Sequence, residues 1–293
     1  MEKIGIIGLG NMGMGIAKNL IKGGYATTGY DLRKECLEEI VSHGGEAAES
    51  VSQIGKLCDV VFVMVMNGNQ VKEVVTQLSP GLNGRGTIII TATITPEEVR
   101  EAYNIAKESN IRMVDSPVSG GLDGAHEGTL TLMTSADDKT FSDCHDILDA
   151  ISKDIFHVGK NIGDGQTVKA SLQSFIGSTF AAIFESLVLG SKAGIDGKTL
   201  YDVFSSSGVS SPLFKNCAKL IMDRKFENTG SHISTMYKDL GITMDMAKKN
   251  GVPMFTTGAA FELFQAGISM YPEGDNWSIV KVLEKMADTK VEW

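Results

Sequence analysis

Residues 4–13 read Ile4-Gly5-Ile6-Ile7-Gly8-Leu9-Gly10-Asn11-Met12-Gly13. A short apolar run ends in a GxGxxG and passes directly into Met14 to Lys22, where Ile16, Ala17, Leu20 and Ile21 recur at helical spacing. The glycine pattern alone is weak in a chain with 33 glycines. Its context, strand before and helix after, gives it meaning. Asp31 stands at the end of the next apolar run, Ala26 to Tyr30, and 18 residues beyond Gly13. That is close to the ~20 residues of a dinucleotide-binding βαβ unit. In such a unit Gly8 makes the tight turn, Gly10 lets the backbone approach a pyrophosphate, and Gly13 lets helix and strand close on each other. Leu9, Asn11 and Met12 complete the loop, and the helix N-terminus holds phosphate through its free N–H groups and its dipole. Asp31 would accept from the ribose hydroxyls and repel a 2′-phosphate, so NAD is expected over NADP. Arg33, two residues on, is placed to soften that preference.

The alternation continues beyond this unit. Lys34 to Ser42 is expected as a helix, Val60 to Met66 as a strand buried on both faces, Gln70 to Leu78 as a helix and Thr87 to Thr91 as a strand. Pro96 to Ser109 reads as a helix with proline in its first turn, and Arg112 to Asp115 and Thr129 to Thr134 as strands. Strand–helix repetition of this kind predicts a mostly parallel, doubly wound sheet. Near Gly163 the pattern changes. Gln166 to Ala193 is one long helical candidate, followed by Thr199 to Ser206, Pro212 to Arg224, His232 to Asn250, Met254 to Met270 and Asn276 to Ala287, with no strand among them. The expected architecture is an α/β Rossmann domain over residues 1–161. An all-helical domain over 162–293 follows, led by a long interdomain helix and serving substrate binding and dimerisation.

Composition narrows the function. With 27 Lys+Arg against 36 Asp+Glu, the net charge of -9 offers nothing to attract nucleic acid or an anionic membrane. The four cysteines, Cys36, Cys58, Cys144 and Cys217, show no CxxC or zinc spacing, and the five histidines are scattered. No metal site is expected, and the thiols read as reduced, in a cytoplasmic protein. Met1-Glu2-Lys3 lacks the pattern of a signal peptide, and the apolar stretch Phe175 to Gly190 is interrupted by Ser178, Thr179, Glu185 and Ser186, so no membrane span is expected.

Three further places attract attention. Asp115-Ser116-Pro117-Val118-Ser119-Gly120-Gly121 leaves a strand with two consecutive glycines after a serine. Unobstructed N–H groups there make either a nest for a carboxylate or a plain turn between strands. Gly163-Asp164-Gly165 opens the long helix, where Lys169 and Gln173 share a face with Gln166 and Gly177. Buried without partners, such side chains would cost several kcal/mol. They therefore face solvent or line a cleft. Tyr237-Lys238-Asp239-Leu240 lies in a later helix, where Lys238 is either an ordinary surface cation or part of a site.

Taken in order, Gly8 to Gly13 with Gly15, Asp115 to Gly121 continuing to Gly128-Thr129-Leu130, Gly163-x-Gly165-x-x-x-Lys169 and Lys238-Asp239-Leu240 resemble the β-hydroxyacid dehydrogenases over essentially the whole chain. This family includes 3-hydroxyisobutyrate dehydrogenase and tartronate semialdehyde (2-hydroxy-3-oxopropionate) reductase. The resemblance implies an NAD-dependent oxidoreductase acting on a small carboxylate-bearing hydroxy acid, with a homodimer or homotetramer as its assembly. It implies Ser119, Gly120 and Gly121 on the substrate carboxylate, and Lys169 as general acid/base on the hydroxyl. Lys238 would contact cofactor or substrate, and Met66, Asn67 and Thr93 would meet the nicotinamide half of the cofactor. A lysine base working near neutrality needs desolvation to bring it down from its ordinary ~10.4. The chain departs from the usual pattern at Gln173, where Asn is common, at Asn67, where Pro is common, and at Thr134-Ser135-Ala136-Asp137, where Val-Gly-Gly is common. With Met12-Gly13-Met14-Gly15, these features look like the L-threonate dehydrogenase branch, so L-threonate or a similar sugar acid is the expected substrate. Imine reductases share the fold but typically lack the lysine. Non-catalytic relatives tend to lose it and to carry appended domains or basic tails.

Overall fold

The computed structural model describes residues 2–293. The chain runs β1 (Lys3–Ile7), α1 (Asn11–Lys22), β2 (Ala26–Tyr30), α2 (Lys34–Ser42), β3 (Glu46–Ala47), α3 (Val51–Leu57), β4 (Val60–Val63) and α4 (Gly68–Leu82). It continues through β5 (Thr87–Ile90), α5 (Pro96–Glu108), β6 (Arg112–Asp115), β7 (Val118–Ser119), α6 (Gly121–Glu127), β8 (Leu130–Ser135), α7 (Asp138–Asp149) and β9 (Ser152–Gly159). These strands form one sheet in the order β3-β2-β1-β4-β5-β6-β8-β7, with β9 on the other edge of β8. From β3 to β6 every pairing is parallel. β8 runs antiparallel to β6 and β7 and parallel to β9. The strand order reverses between β1 and β4, and the crevice beyond their carboxyl ends is where an open α/β sheet takes its ligand.

The two faces of the sheet follow from the period of two along each strand. Ile4, Ile6, Val60, Phe62, Ile89 and Val114 enter one core with Ile16 and Leu20 of α1, Ile40 of α2 and Ile147 of α7. Ile7, Val61, Val63, Ile88 and Ile90 enter the other with Val71, Val75 and Leu78 of α4 and Val99 of α5. Burial on both faces is why β4 and β5 are apolar at nearly every position.

Several elements differ from the sequence expectation. β4 stops at Val63, and residues 64–66 lead out of the sheet with Met66 exposed. α4 runs beyond Leu78 and through Pro80 to Leu82, ending at Asn83 in the left-handed conformation. The pattern also did not predict β3, α3, β7, α6, α7 and β9. Four of these have seven residues or fewer, too few to show a period. β9 turns most of its length to solvent, so it carries no apolar alternation.

The chain divides into two compact units, Met1–Lys169 and Ala170–Trp293. α8 (Asp164–Lys192) opens in the first and continues through the second. The second unit adds α9 (Gly197–Ser206), α10 (Pro212–Met222), α11 (Ile233–Lys249), α12 (Phe255–Met270), a 3-10 turn over Asn276–Ile279 and α13 (Val280–Ala287). It contains no strand among the described residues, only the isolated bridge His232–Asp275. Its core gathers Phe180, Phe184 and Leu187 of α8 with Phe214, Ile221, Leu240, Phe264 and Trp277. Helices approach closely where glycine permits. A methyl at Gly177 would stand 2.7 Å from Leu240, and one at Gly190 2.5 Å from Leu200. By length and composition alone α8 is apolar enough to cross a bilayer. Its apolar residues instead supply this core, and 44% of its most apolar stretch is buried within the protein.

Candidate active site

The shape of the glycine loop is dictated by contacts rather than preference. Gly8 has φ +90°, and a Cβ there would lie 2.2 Å from the Met64 carbonyl oxygen. At Gly13 a Cβ would lie 1.8 Å from the Gly8 carbonyl oxygen. Gly10 is different: the Arg33 guanidinium at 3.6 Å is all that a Cβ would meet. Two glycines thus close the turn and the third leaves it open. Gly10 is the N-cap of α1, with no side-chain cap and no acidic residue in the first turn, so the N–H groups and positive dipole end of α1 are left for an anion. This is the arrangement a dinucleotide pyrophosphate requires.

Asp31 lies beside that loop. Its Oδ2 accepts from the Leu9 N–H at 2.7 Å, and its Oδ1 from the Arg33 N–H at 2.9 Å and Nε at 3.1 Å. Partial burial works against the charged form, but these hydrogen bonds and the guanidinium hold its carboxyl below the usual range. Arg33 is therefore already paired with the acid whose effect it was expected to soften.

Asn67 and Thr93 sit past the ends of neighbouring strands. Asn67 caps α4, its Oδ1 accepting from the Gln70 N–H at 3.0 Å, while the Met66 N–H donates to Gln70 Oε1 at 2.9 Å. Asn67 therefore has a local structural role at the start of α4. Thr93 is half-buried between Ala92 and Ile94.

The Ser119 segment is neither a plain turn nor a loose loop. Ser119 ends β7, opposite Thr131 of β8, and Gly120 (φ +131°) and Gly121 (φ +63°) then turn the chain into α6. Both glycines are exposed, and nothing lies within 4 Å of the space a Cβ would take at Gly121. α6 is held against α1. A Cβ at Gly15 would be 2.7 Å from the Ala125 backbone, and the buried Asn19 amide donates to the carbonyls of Gly15 (2.9 Å), Ala125 (2.8 Å) and His126 (3.2 Å). The glycine-loop helix α1 and the helix that follows the serine–glycine segment are thereby packed and hydrogen-bonded together. Sequence reading missed Asn19; its signal was a polar residue on the apolar face of α1.

The start of α8 rests on Asp115, which is fully buried. Its Oδ2 accepts from the Gly163 N–H (2.9 Å), Gln166 N–H (3.3 Å) and Ser135 Oγ (3.1 Å), and its Oδ1 from Gln166 Nε2 (2.8 Å). Burial pushes its pKa up to about 6 although all four donors favour the carboxylate. Lys169 follows on the same helix and is only 7% exposed. In the second unit Gln173 is 6% exposed, and its Nε2 donates to Asp239 Oδ2 at 2.6 Å. Asp239 is itself buried, with Lys238 Nζ at 3.1 Å from its Oδ1, an ion-pair distance without hydrogen-bond alignment. Of the expected residues, Gln173 and Lys238 are thus joined through Asp239. Asp239 was not singled out in the sequence, although it stood next to Lys238 in the quoted motif.

Comparison with known proteins follows the same division. Residues 3–159 match the family model described as the NAD binding domain of 6-phosphogluconate dehydrogenase. Residues 163–283 match that described as NAD-binding of NADP-dependent 3-hydroxyisobutyrate dehydrogenase. A 2-(hydroxymethyl)glutarate dehydrogenase from Eubacterium barkeri is 33% identical over 99% of this chain and 97% of its own. An L-threonate dehydrogenase from Cupriavidus necator is 32% identical over 96% of each. Among solved structures, 3-hydroxyisobutyrate dehydrogenase from Salmonella typhimurium superposes with a TM-score of 0.87 at 28% identity, covering 96% of this chain and 100% of that one.

Proposed function

The chain belongs to the β-hydroxyacid dehydrogenase family, and from that premise we propose that it oxidises the C2 hydroxyl of L-threonate or a similar four-carbon sugar acid, with Lys169 as the base. It is an NAD(P)-dependent oxidoreductase acting on CH–OH groups. Its relatives carry names with different acids, so the substrate has to be argued from this chain's own side chains.

Gln173 carries that argument. A carboxylate only accepts, so Asp239 fixes the orientation of the Gln173 amide, with Nε2 toward the acid. Oε1, an acceptor, and the second Nε2 proton make up the rest of the amide's hydrogen-bonding capacity. A substrate group meeting this amide has to donate to Oε1 or accept from Nε2. A hydroxyl satisfies this, and the methyl of 3-hydroxyisobutyrate does not. A site built to bond a hydroxyl rejects analogues that lack it far more strongly than an apolar pocket rejects an added group.

The remaining roles are those that membership of the family implies. Gly8, Leu9, Gly10, Asn11, Met12 and Gly13 hold the pyrophosphate, Asp31 the ribose, and Met66, Asn67 and Thr93 the nicotinamide end. Bound NAD supplies the hydride acceptor. Ser119, Gly120 and Gly121 hold the substrate carboxylate through the Ser119 hydroxyl and exposed N–H groups, which aims the carbinol hydrogen. Lys169 removes the hydroxyl proton as the carbinol is oxidised and returns it in the reverse direction. Lys238 contacts cofactor or substrate. Four free, buried cysteines fit a reducing, cytoplasmic setting.

The test is NADH formation against L-threonate, D-erythronate, D-glycerate and 3-hydroxyisobutyrate, with wild-type protein and Lys169→Ala. The expected result is preference for L-threonate, with turnover lost in Lys169→Ala while NAD still binds. Equal or better use of 3-hydroxyisobutyrate would overturn the substrate assignment, and near-normal turnover in Lys169→Ala would overturn the base.

A further inference from the structure

One side-chain amide ties the opening of α8 to the ends of two strands. Gln166 is 1% exposed, so it meets no substrate. Its Oε1 accepts from the Ile94 N–H at 3.1 Å, and its Nε2 donates to the Ala92 carbonyl at 3.0 Å and to Asp115 Oδ1 at 2.8 Å. Both amide protons are used. The pairing takes in the backbone on either side of Thr93, as a neighbouring strand would. The other end of the same turn is equally fixed. Gly165 N–H donates to Ser135 Oγ at 3.1 Å, and a Cβ on Gly165 would be 2.4 Å from the Met133 carbonyl oxygen. Lys169 comes three residues after Gln166, less than one turn along the helix. A leucine or methionine could fill this position without burying an amide against a carboxylate. What the amide adds is direction, since three bonds with set donors and acceptors permit one placement of the turn.

We propose that Gln166 is a positioning residue for the oxidation: it fixes the first turn of α8, and so Lys169, against the Thr93 segment. The inference rests on the reading of Lys169 as base and Thr93 as a nicotinamide contact. Gln166 itself touches neither substrate nor cofactor and acts through those two.

Gln166→Glu keeps the size of the side chain and the acceptor for Ile94, but it loses both donations and sets a carboxylate against Asp115. The expected result is a fall in kcat of about 100-fold, the scale of a 1 Å misplacement. NAD affinity by titration should stay within about threefold, because the pyrophosphate loop is untouched. Two carboxylates sharing one site take up a proton as pH falls, and the protonated one donates again. The ratio of variant to wild-type kcat therefore rises toward low pH. Exchanging the pair, Asp115→Asn with Gln166→Glu, restores one donor–acceptor bond in the opposite sense. It should recover about tenfold in kcat and lose that pH dependence. Where the single variant does not fold, Gln166→Met takes its place, with the same loss of kcat at retained NAD affinity expected. A kcat within about threefold of wild type in these variants overturns the proposal. So does a parallel collapse of kcat, NAD affinity and melting temperature that the exchanged pair fails to rescue. Normal turnover in Gln166→Glu beside a dead Lys169→Ala would overturn the positioning role while leaving the base assignment standing.

Discussion

Asp31 shows how much a single carboxylate decides. The Leu9 N–H and the Arg33 side chain hold it charged at any working pH, beside a loop that otherwise offers only donors to an anion. A 2′-phosphate would have to displace Arg33 and face the acid, so NAD is the expected cofactor. Asp31→Ser removes the charge and releases the guanidinium. The ratio of kcat/KM with NADP to that with NAD should rise about tenfold or more, about 1.4 kcal/mol; an unchanged ratio would mean that Asp31 does not read the ribose. Asp115 makes the opposite case. Its folded pKa of about 6 is above the ordinary 3.8, so folding favours its protonated form. The corresponding stability is present below pH ~4 and is lost as pH rises through about 6. At ~1.4 kcal/mol per pH unit this amounts to about 3 kcal/mol. Urea midpoints of wild type and Asp115→Asn measured between pH 4 and pH 7 test it: the wild type should carry that downward contribution with rising pH, and the variant should lack it. Parallel curves would show that the buried carboxyl does not titrate in this range.

At the level of elements, the contact between α1 and α6 shows what a sequence does and does not disclose. α1 was legible because Ile16, Ala17, Leu20 and Ile21 repeat at its period. α6 was not, because seven residues opened by two glycines show neither period nor propensity. Yet Gly15 and Asn19, both readable as single letters, exist for α6. One admits the Ala125 backbone and the other satisfies carbonyls at the end of the short helix. The same holds at Asp115 and Gln166. Their motifs were visible, but the pairing joins residues 51 apart in the chain and needs the sheet order to bring them together. β1, α1, β2 and the long α8 were legible from local pattern. β9 and α7 were not, one because it is mostly exposed and the other because its apolar face is sparse. Asn19→Ala should cost about 1–3 kcal/mol in urea unfolding, the range for leaving buried polar groups unpaired. It should also raise the KM for the acid more than the Kd for NAD, since α6 follows the Ser119 segment. A stability change with no shift in KM would confine Asn19 to the core.

At the scale of the whole molecule, the exposed apolar residues of α8 remain to be accounted for. Phe175 is 70% and Leu189 72% exposed, with exposed Ala182 midway between them. Positions 175, 182 and 189 are seven apart and lie on one face of the helix. That face is separate from the core face of Phe180, Phe184 and Leu187. A stripe of this length on a helix already spanning its unit suits self-association, and a two-fold axis would count every buried side chain twice. Each phenylalanine or leucine contributes roughly 1.5–3 kcal/mol when buried, so two per copy favour pairing, which a net charge of -9 on each chain opposes. We therefore expect a homodimer or a homotetramer built from it. Sedimentation should give an even multiple of 31.4 kDa for the wild type. The double variant Phe175→Glu, Leu189→Glu should sediment at a lower multiple with its helix content unchanged, because neither side chain reaches the core. A wild-type chain that sediments as a monomer would remove self-association as the reason for this face. A double variant that keeps the wild-type mass would move the interface elsewhere on the surface.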